Sequence, residues 1–195
     1  MARGRKVNSN GERSMKLLRE KAIELFSEYG YFQTKISDIV KAAKVTQPTF
    51  YLYFESKESL YKDIIIDFQT NLEKIFDESK NAQETDQNTT QLVQEILIRL
   101  FTFFAENPHL TKIGLYETNT PFVYDILLLK FKNFYEKHLY TFQTDEVSSQ
   151  IFIQSLIGSV ERLTKNALLS ENIQPEKLAS EISAIYFAKE LTVAQ

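Results

Sequence analysis

The residues of this chain best suited to recognising another molecule lie side by side: Gln47, Pro48 and Thr49. A glutamine amide presents a donor and an acceptor in the spacing that an adenine edge in a DNA major groove complements. A threonine meets a base or a thymine methyl, and a proline ring offers an apolar contact to the same methyl. Bond-making chemistry is poorly provided for. With no cysteine there is no disulfide and no thiolate metal site. The two histidines, His109 and His138, have no His, Cys, Asp or Glu at convincing ligand spacing. Gly-rich phosphate loops, nucleophile elbows and zincin motifs are all missing from the sequence. No catalytic residue, metal or cofactor is expected, and the chain does not read as an enzyme.

Holding three such side chains at a fixed angle requires a short helix braced by another. The sequence has only 5 Gly and 4 Pro, and apolar residues recur at helical spacing with no sustained strand-like alternation, so the fold class is all-α. A first helix is expected from about Ser14 to Tyr29, with Leu18, Ala22, Leu25, Phe26 and Tyr29 on one face and Gly30 as its left-handed C-cap. A second is expected from Lys35 to Ala43, with Thr34 as N-cap and Ile36, Ile39, Val40 and Ala43 inward. The third starts at Thr46, with Pro48 in its first turn and Phe50, Tyr51 and Phe54 on its apolar side. A long fourth helix opens at Ser56 and fades at Ser79, and the polar stretch 80–90 reads as a loop. Further helices are expected at about 91–106, 108–117, 121–142, 146–170 and 175–191, three of them opening on Pro108, Pro121 and Pro175.

The second and third helices have the proportions of a helix-turn-helix, in which a helix of about 10–12 Å diameter enters the major groove. Three-helix cores of this shape also serve unrelated purposes. Charge narrows the choice. The chain carries a net −3, yet residues 1–62 hold 12 Lys and Arg against 7 Asp and Glu, and residues 63–195 hold 11 against 19. A basic head on an acidic body favours phosphate contact at one end. We therefore expect a DNA-binding domain over 1–62, with a basic tail at 1–13, and a larger helical domain over 63–195. No apolar run is long enough to span a bilayer and no apolar segment follows the basic start, so a cytoplasmic protein with no membrane partner is expected.

The stretches Ala22–Tyr31, Thr34–Ala43, Val45–Phe54 and Ser56–Leu60 resemble the DNA-binding domain of the TetR family of transcriptional regulators, in order and spacing. Tyr51-Leu-Tyr-Phe54 followed by Ser-Lys-Glu-Ser-Leu60 is the most diagnostic part. The resemblance implies a homodimer that binds a palindromic operator in double-stranded DNA and represses transcription. It implies Gln47, Pro48 and Thr49 at base edges, and Tyr51 and Tyr53 at the phosphate backbone or groove wall. It also implies Lys57 at a phosphate, and Thr34 and Lys35 at the backbone from the start of the second helix. Thr46 and Lys44 complete the candidate set. Lys44 stands where the family has glycine; a left-handed conformation there costs about 1 kcal/mol, which a phosphate contact from its ammonium could offset. Arg3, Arg5, Lys6 and Arg13 form a tail of the kind that enters minor grooves, or a disordered terminus.

Two expectations concern the body. Its last two helices carry a candidate dimer contact: Ile151, Ser155, Gly158, Ser159 and Arg162 on one, and Leu178, Ile182, Ile185 and Tyr186 on the other. Residues 91–142 hold 11 of the 25 aromatic residues. The resemblance implies a pocket for a small-molecule effector there, and Phe101, Phe104, Tyr116, Phe122, Tyr124, Phe131, Tyr135 and Phe152 would suit an apolar or aromatic one. The alternatives are a filled aromatic core, and a helical interaction or lipophile-binding protein that keeps the fold without operator binding.

Overall fold

A computed structural model describes residues 8–81, 89–116, 121–138 and 148–191. The described residues form helices α1 (Asn8–Tyr29), α2 (Ile36–Ala42), α3 (Gln47–Tyr51), α4 (Lys57–Asn81), α5 (Thr89–Glu106), α6 (Pro108–Tyr116), α7 (Pro121–His138), α8 (Ser149–Leu163), α9 (Leu169–Glu171) and α10 (Pro175–Leu191). No strand occurs among them. The chain divides into two compact units. The first runs to Phe68 and includes 109–117; the second holds 69–108 and the residues from 118 onward. The division falls inside α4.

The first unit is built on Leu18, Ala22 and Phe26 of α1, all fully buried. Their spacing of four puts them on one stripe. Tyr29, expected on that stripe, is exposed, because α1 ends there and Gly30 (φ 83°) turns the chain away. Ile39, Val40, Phe50, Leu60 and Ile64 from the next three helices, with Phe54 from the turn after α3, close the core. Across the seam between α1 and α4, Arg19 reaches Asp63 and Asp67 at 3.1 Å each. These carboxylates lie one turn apart on α4, so a single guanidinium ties both to α1.

The turn after α2 has the hydrogen bonds of a Schellman motif. Val45 N–H donates to Val40 O at 3.0 Å and Lys44 N–H to Lys41 O at 3.2 Å. That geometry puts Lys44 at φ 55°, the left-handed conformation expected of glycine. The N-cap of α2 differs from expectation. Lys35, not Thr34, occupies it, and the Asp38 carboxylate accepts the Lys35 N–H at 3.0 Å.

The sequence places α6 with the body, but it packs in the first unit. The Ser27 hydroxyl donates to Glu24 O at 2.8 Å and stands 2.7 Å from His109 Nδ1. Gly114 fits against α4 because it lacks a side chain: a Cβ would lie 2.4–2.7 Å from the ring of Phe68, which is fully buried.

In the second unit α5 presents Leu92, Val93, Ile96, Leu97, Leu100, Phe101 and Phe104 to the core. It packs along α10, whose Leu178, Ala179, Ile182 and Phe187 are buried. Phe131 of α7 stacks edge-on against Phe76 of α4 at 5.1 Å. One helix expected over 146–170 is interrupted by a π-helical turn, Thr164–Leu168, and then ends at Asn172 (φ 55°). Thr164 Oγ1 donates back to Val160 O at 2.7 Å, a bond that competes with the helix ladder where the π turn begins.

Gly114→Ala gains helix propensity but must displace a buried ring. We expect a net loss of about 1–2 kcal/mol of stability, read as a lower thermal midpoint and relieved when Phe68→Leu is added. Lys44→Gly removes the left-handed strain and raises stability by up to about 1 kcal/mol in denaturant titrations.

Candidate nucleic-acid interface

α3 is five residues long and held by one anchor: Phe50 is wholly buried, with Phe54 just beyond it. With Phe50 pointing inward, Gln47 and Pro48 point outward and are exposed, and Thr49 is half-buried. Thr46 caps the helix. Its Oγ1 accepts the Thr49 N–H at 3.4 Å and lies 2.8 Å from Thr49 Oγ1. Two hydroxyls sharing one hydrogen bond leave one O–H donor to offer outward. Pro48 sits in the first turn, where a missing N–H leaves no gap in the ladder.

Tyr51 is 52% exposed and stacks edge-on on Phe50, so it is a surface residue braced by the core. Tyr53 is half-buried, and its hydroxyl comes close to Gly11 near the start of α1, where a Cβ would stand 3.2 Å away. Lys35 and Lys44 are exposed at the two ends of α2. Lys41 is also exposed, in the last turn of α2. Many cations of the head are already paired: Lys16 with Glu20, Arg19 with Asp63 and Asp67, Lys21 with Glu24, and Lys62 with Glu58. Among the described residues of α1 to α3 and their turns, those with no carboxylate in salt-bridge range are Arg13, Lys35, Lys41 and Lys44.

Thr34 and Lys57, both expected at the DNA backbone, make contacts within the chain. Thr34 is buried, and its hydroxyl lies 2.9 Å from Gly30 O and 3.3 Å from Leu25 O, closing the end of α1. It has no surface to give to a phosphate. Lys57 is half-buried: its ammonium donates to Tyr31 O at 2.7 Å and Thr34 O at 2.8 Å, and desolvation lowers its pKa. Leu52 and Phe32, exposed at 77% and 76%, are apolar surface that the sequence reading did not single out. Neither breaks a periodic pattern, so no signal distinguished them. The tail residues Arg3, Arg5 and Lys6 lie outside the described residues.

Of the expected dimer set, Ile151 and Ile185 are 59% and 74% exposed, and Ser155, Gly158 and Arg162 are exposed with them. Ser159 and Tyr186 are half-buried and bonded to each other, hydroxyl to hydroxyl, at 2.7 Å. Leu178 and Ile182 are corrected: both are buried within the chain, where α10 meets its own core, and have no surface for a second copy. Of the effector set, Phe101, Phe104 and Phe131 are buried, and Tyr116 and Phe152 half-buried. Tyr116 belongs to the first unit with α6. The side chains of Phe122, Tyr124 and Tyr135 lie outside the described residues. No helix among the described residues is long and apolar enough to cross a membrane.

A family model described as bacterial regulatory proteins, tetR family, matches residues 18–64, which span α2, α3 and the capped start of α4. The HTH-type transcriptional regulator YdgC of Bacillus subtilis is 31% identical over 181 residues, covering 90% of this chain and 92% of its own. The fold is similar to that of a TetR-like transcriptional regulator from Rhodococcus sp. RHA1, with TM-score 0.73 and 15% identity over 97% of this chain and 99% of that one. It is also similar to the transcriptional regulator FadR of Bacillus subtilis, solved in complex with stearoyl-CoA, with TM-score 0.67 and 15% identity over 88% and 96% of the two chains. The chain is a transcriptional regulator of the tetR family.

Proposed function

We propose that this regulator is a homodimeric repressor that reads a two-fold operator through Gln47, Pro48 and Thr49 and leaves it when an apolar effector binds. The observation that carries the reading is α3 itself: a helix too short to stand alone, fixed by Phe50, with its polar N-terminal residues turned outward. Lys35, Lys41 and Lys44 supply phosphate contacts that set register without reading sequence. A regulator of this kind works on DNA in the cytoplasm.

Dimerisation is supported by the strip Ile151, Ser155, Gly158 and Arg162 on α8, with Ile185 on α10. Two large aliphatic side chains stand in solvent there, and a Cβ at Gly158 would meet nothing within 4 Å. Among the described residues nothing asks for glycine at that place, whereas a second helix passing close would. An effector acts only if it binds one state of the dimer more tightly than the operator-bound state. The buried aromatic residues of the second unit favour an apolar ligand or an apolar chain, and a long-chain acyl-CoA, whose acyl chain is apolar although its coenzyme A part is charged, is the first to titrate, since FadR is solved with stearoyl-CoA.

Fluorescence anisotropy with DNA from beside its own gene should show salt-dependent, sequence-selective binding by a dimer. Binding that ignores sequence would defeat the reading. Gln47→Ala and Thr49→Ala should each remove about 1–3 kcal/mol of discrimination while leaving the salt dependence unchanged. Ile151→Glu with Ile185→Glu should give a folded monomer in sedimentation analysis, because both side chains are exposed in the single chain. An unchanged dimer would place the interface elsewhere.

A further inference from the structure

Lys57 opens α4, where the family resemblance implies a phosphate contact. Its ammonium is engaged otherwise. Nζ donates to Tyr31 O at 2.7 Å and to Thr34 O at 2.8 Å, and stands 4.3 Å from the centroid of the Tyr31 ring. Two of its three protons are therefore given to backbone carbonyls, and the ring face takes up part of the charge. Both carbonyls belong to the turn between α1 and α2, and the residue that follows, Lys35, is the N-cap of α2. Tyr31 is wedged at 5.6 Å from Phe26 and 4.7 Å from Tyr61. Tyr61 lies one helical turn beyond Lys57, so the first turn of α4 holds the 31–34 turn by a cation and a ring together.

We infer that Lys57 is a positioning residue: it fixes the 31–34 turn, and with it the start of α2, and does not serve as a counter-charge to DNA phosphate. This rests on the reading of the head as a DNA-binding surface. It assigns the phosphate contacts to the unpaired lysines of α2 and its following turn, and leaves α4 the task of aiming them.

Lys57→Met separates the roles. A lysine that neutralises one phosphate lowers the slope of log K against log salt by about 0.9 when removed. A positioning residue lowers affinity, on the order of tenfold, because the loosened turn must be reordered on binding, and leaves the slope unchanged because the same lysines of α2 still meet phosphate in the complex. We expect the second result, together with faster amide hydrogen exchange across residues 31–35 and unchanged exchange in α5 and α10. A slope reduced by about 0.9 would overturn the inference, as would unchanged affinity or unchanged exchange in the turn. Should the variant fail to fold, the wild-type protein decides. The Lys57 ammonium should exchange its protons slowly in ¹⁵N spectra and keep its resonance when operator DNA is added. Fast exchange that slows only on DNA binding would refute it. Wild-type protein that binds no DNA selectively would end the repressor reading instead, and the exchange measurement would still judge whether Lys57 holds the turn.

Discussion

Burial of Phe50 is the constraint on which the reading surface depends. A helix of five residues spans about 7.5 Å and has almost no stability of its own in water. Its geometry must therefore come from tertiary packing. Phe50 enters a core made by Leu18, Ala22 and Phe26 from one side and Ile39 and Val40 from another, all of them buried. Burying an aromatic side chain contributes about 2–3 kcal/mol, enough to fix the helix axis that local hydrogen bonds cannot fix. Once that ring is inside, the helical repeat turns Gln47 and Pro48 outward. The Thr46 cap and the first-turn proline then shape its outward N-terminal end.

Much of this was legible in the sequence because it is local. Pro108, Pro121 and Pro175 each open a helix, as a residue with fixed φ and no N–H should. Thr46 and Ser56 cap their helices, Ser56 through reciprocal 3.1 Å bonds with Ser59. Lys44 is left-handed because its neighbours, not its own side chain, demand that turn. Periodicity also identified Phe50 and Phe54 as inward-facing, and both are buried.

What escaped the sequence is interaction between distant residues. Lys57 and Tyr31 are separated by 26 positions and Ser27 and His109 by 82, and no spacing rule joins such pairs. Thr34 looked like an N-cap by type and place. Its hydroxyl instead closes the preceding helix, because the carbonyls of Leu25 and Gly30 lie within its reach. Leu178 and Ile182 had the right character for a dimer seam, but an apolar stripe on a helix does not say which neighbour covers it. The π turn at Thr164–Leu168 was equally hidden, since a threonine inside a helical pattern gives no sign that its hydroxyl will take the Val160 carbonyl.

Charge shows the same limit with a sharper consequence. The sequence counts 12 basic residues in the first 62, which suggests a broad electrostatic grip. Packing removes much of it: Arg19 ties α1 to α4, Lys62 and Lys21 answer nearby glutamates, and Lys57 is held by carbonyls. The exposed, unpaired lysines of the described head are thereby concentrated at α2 and the turn that follows, on the element that braces α3. On the proposed reading, phosphate contacts drawn from these few lysines contribute a modest sequence-independent affinity. On the proposed reading, such a head gains its operator by the fit of a few base edges and by doubling in a dimer, rather than by the mass of its positive charge.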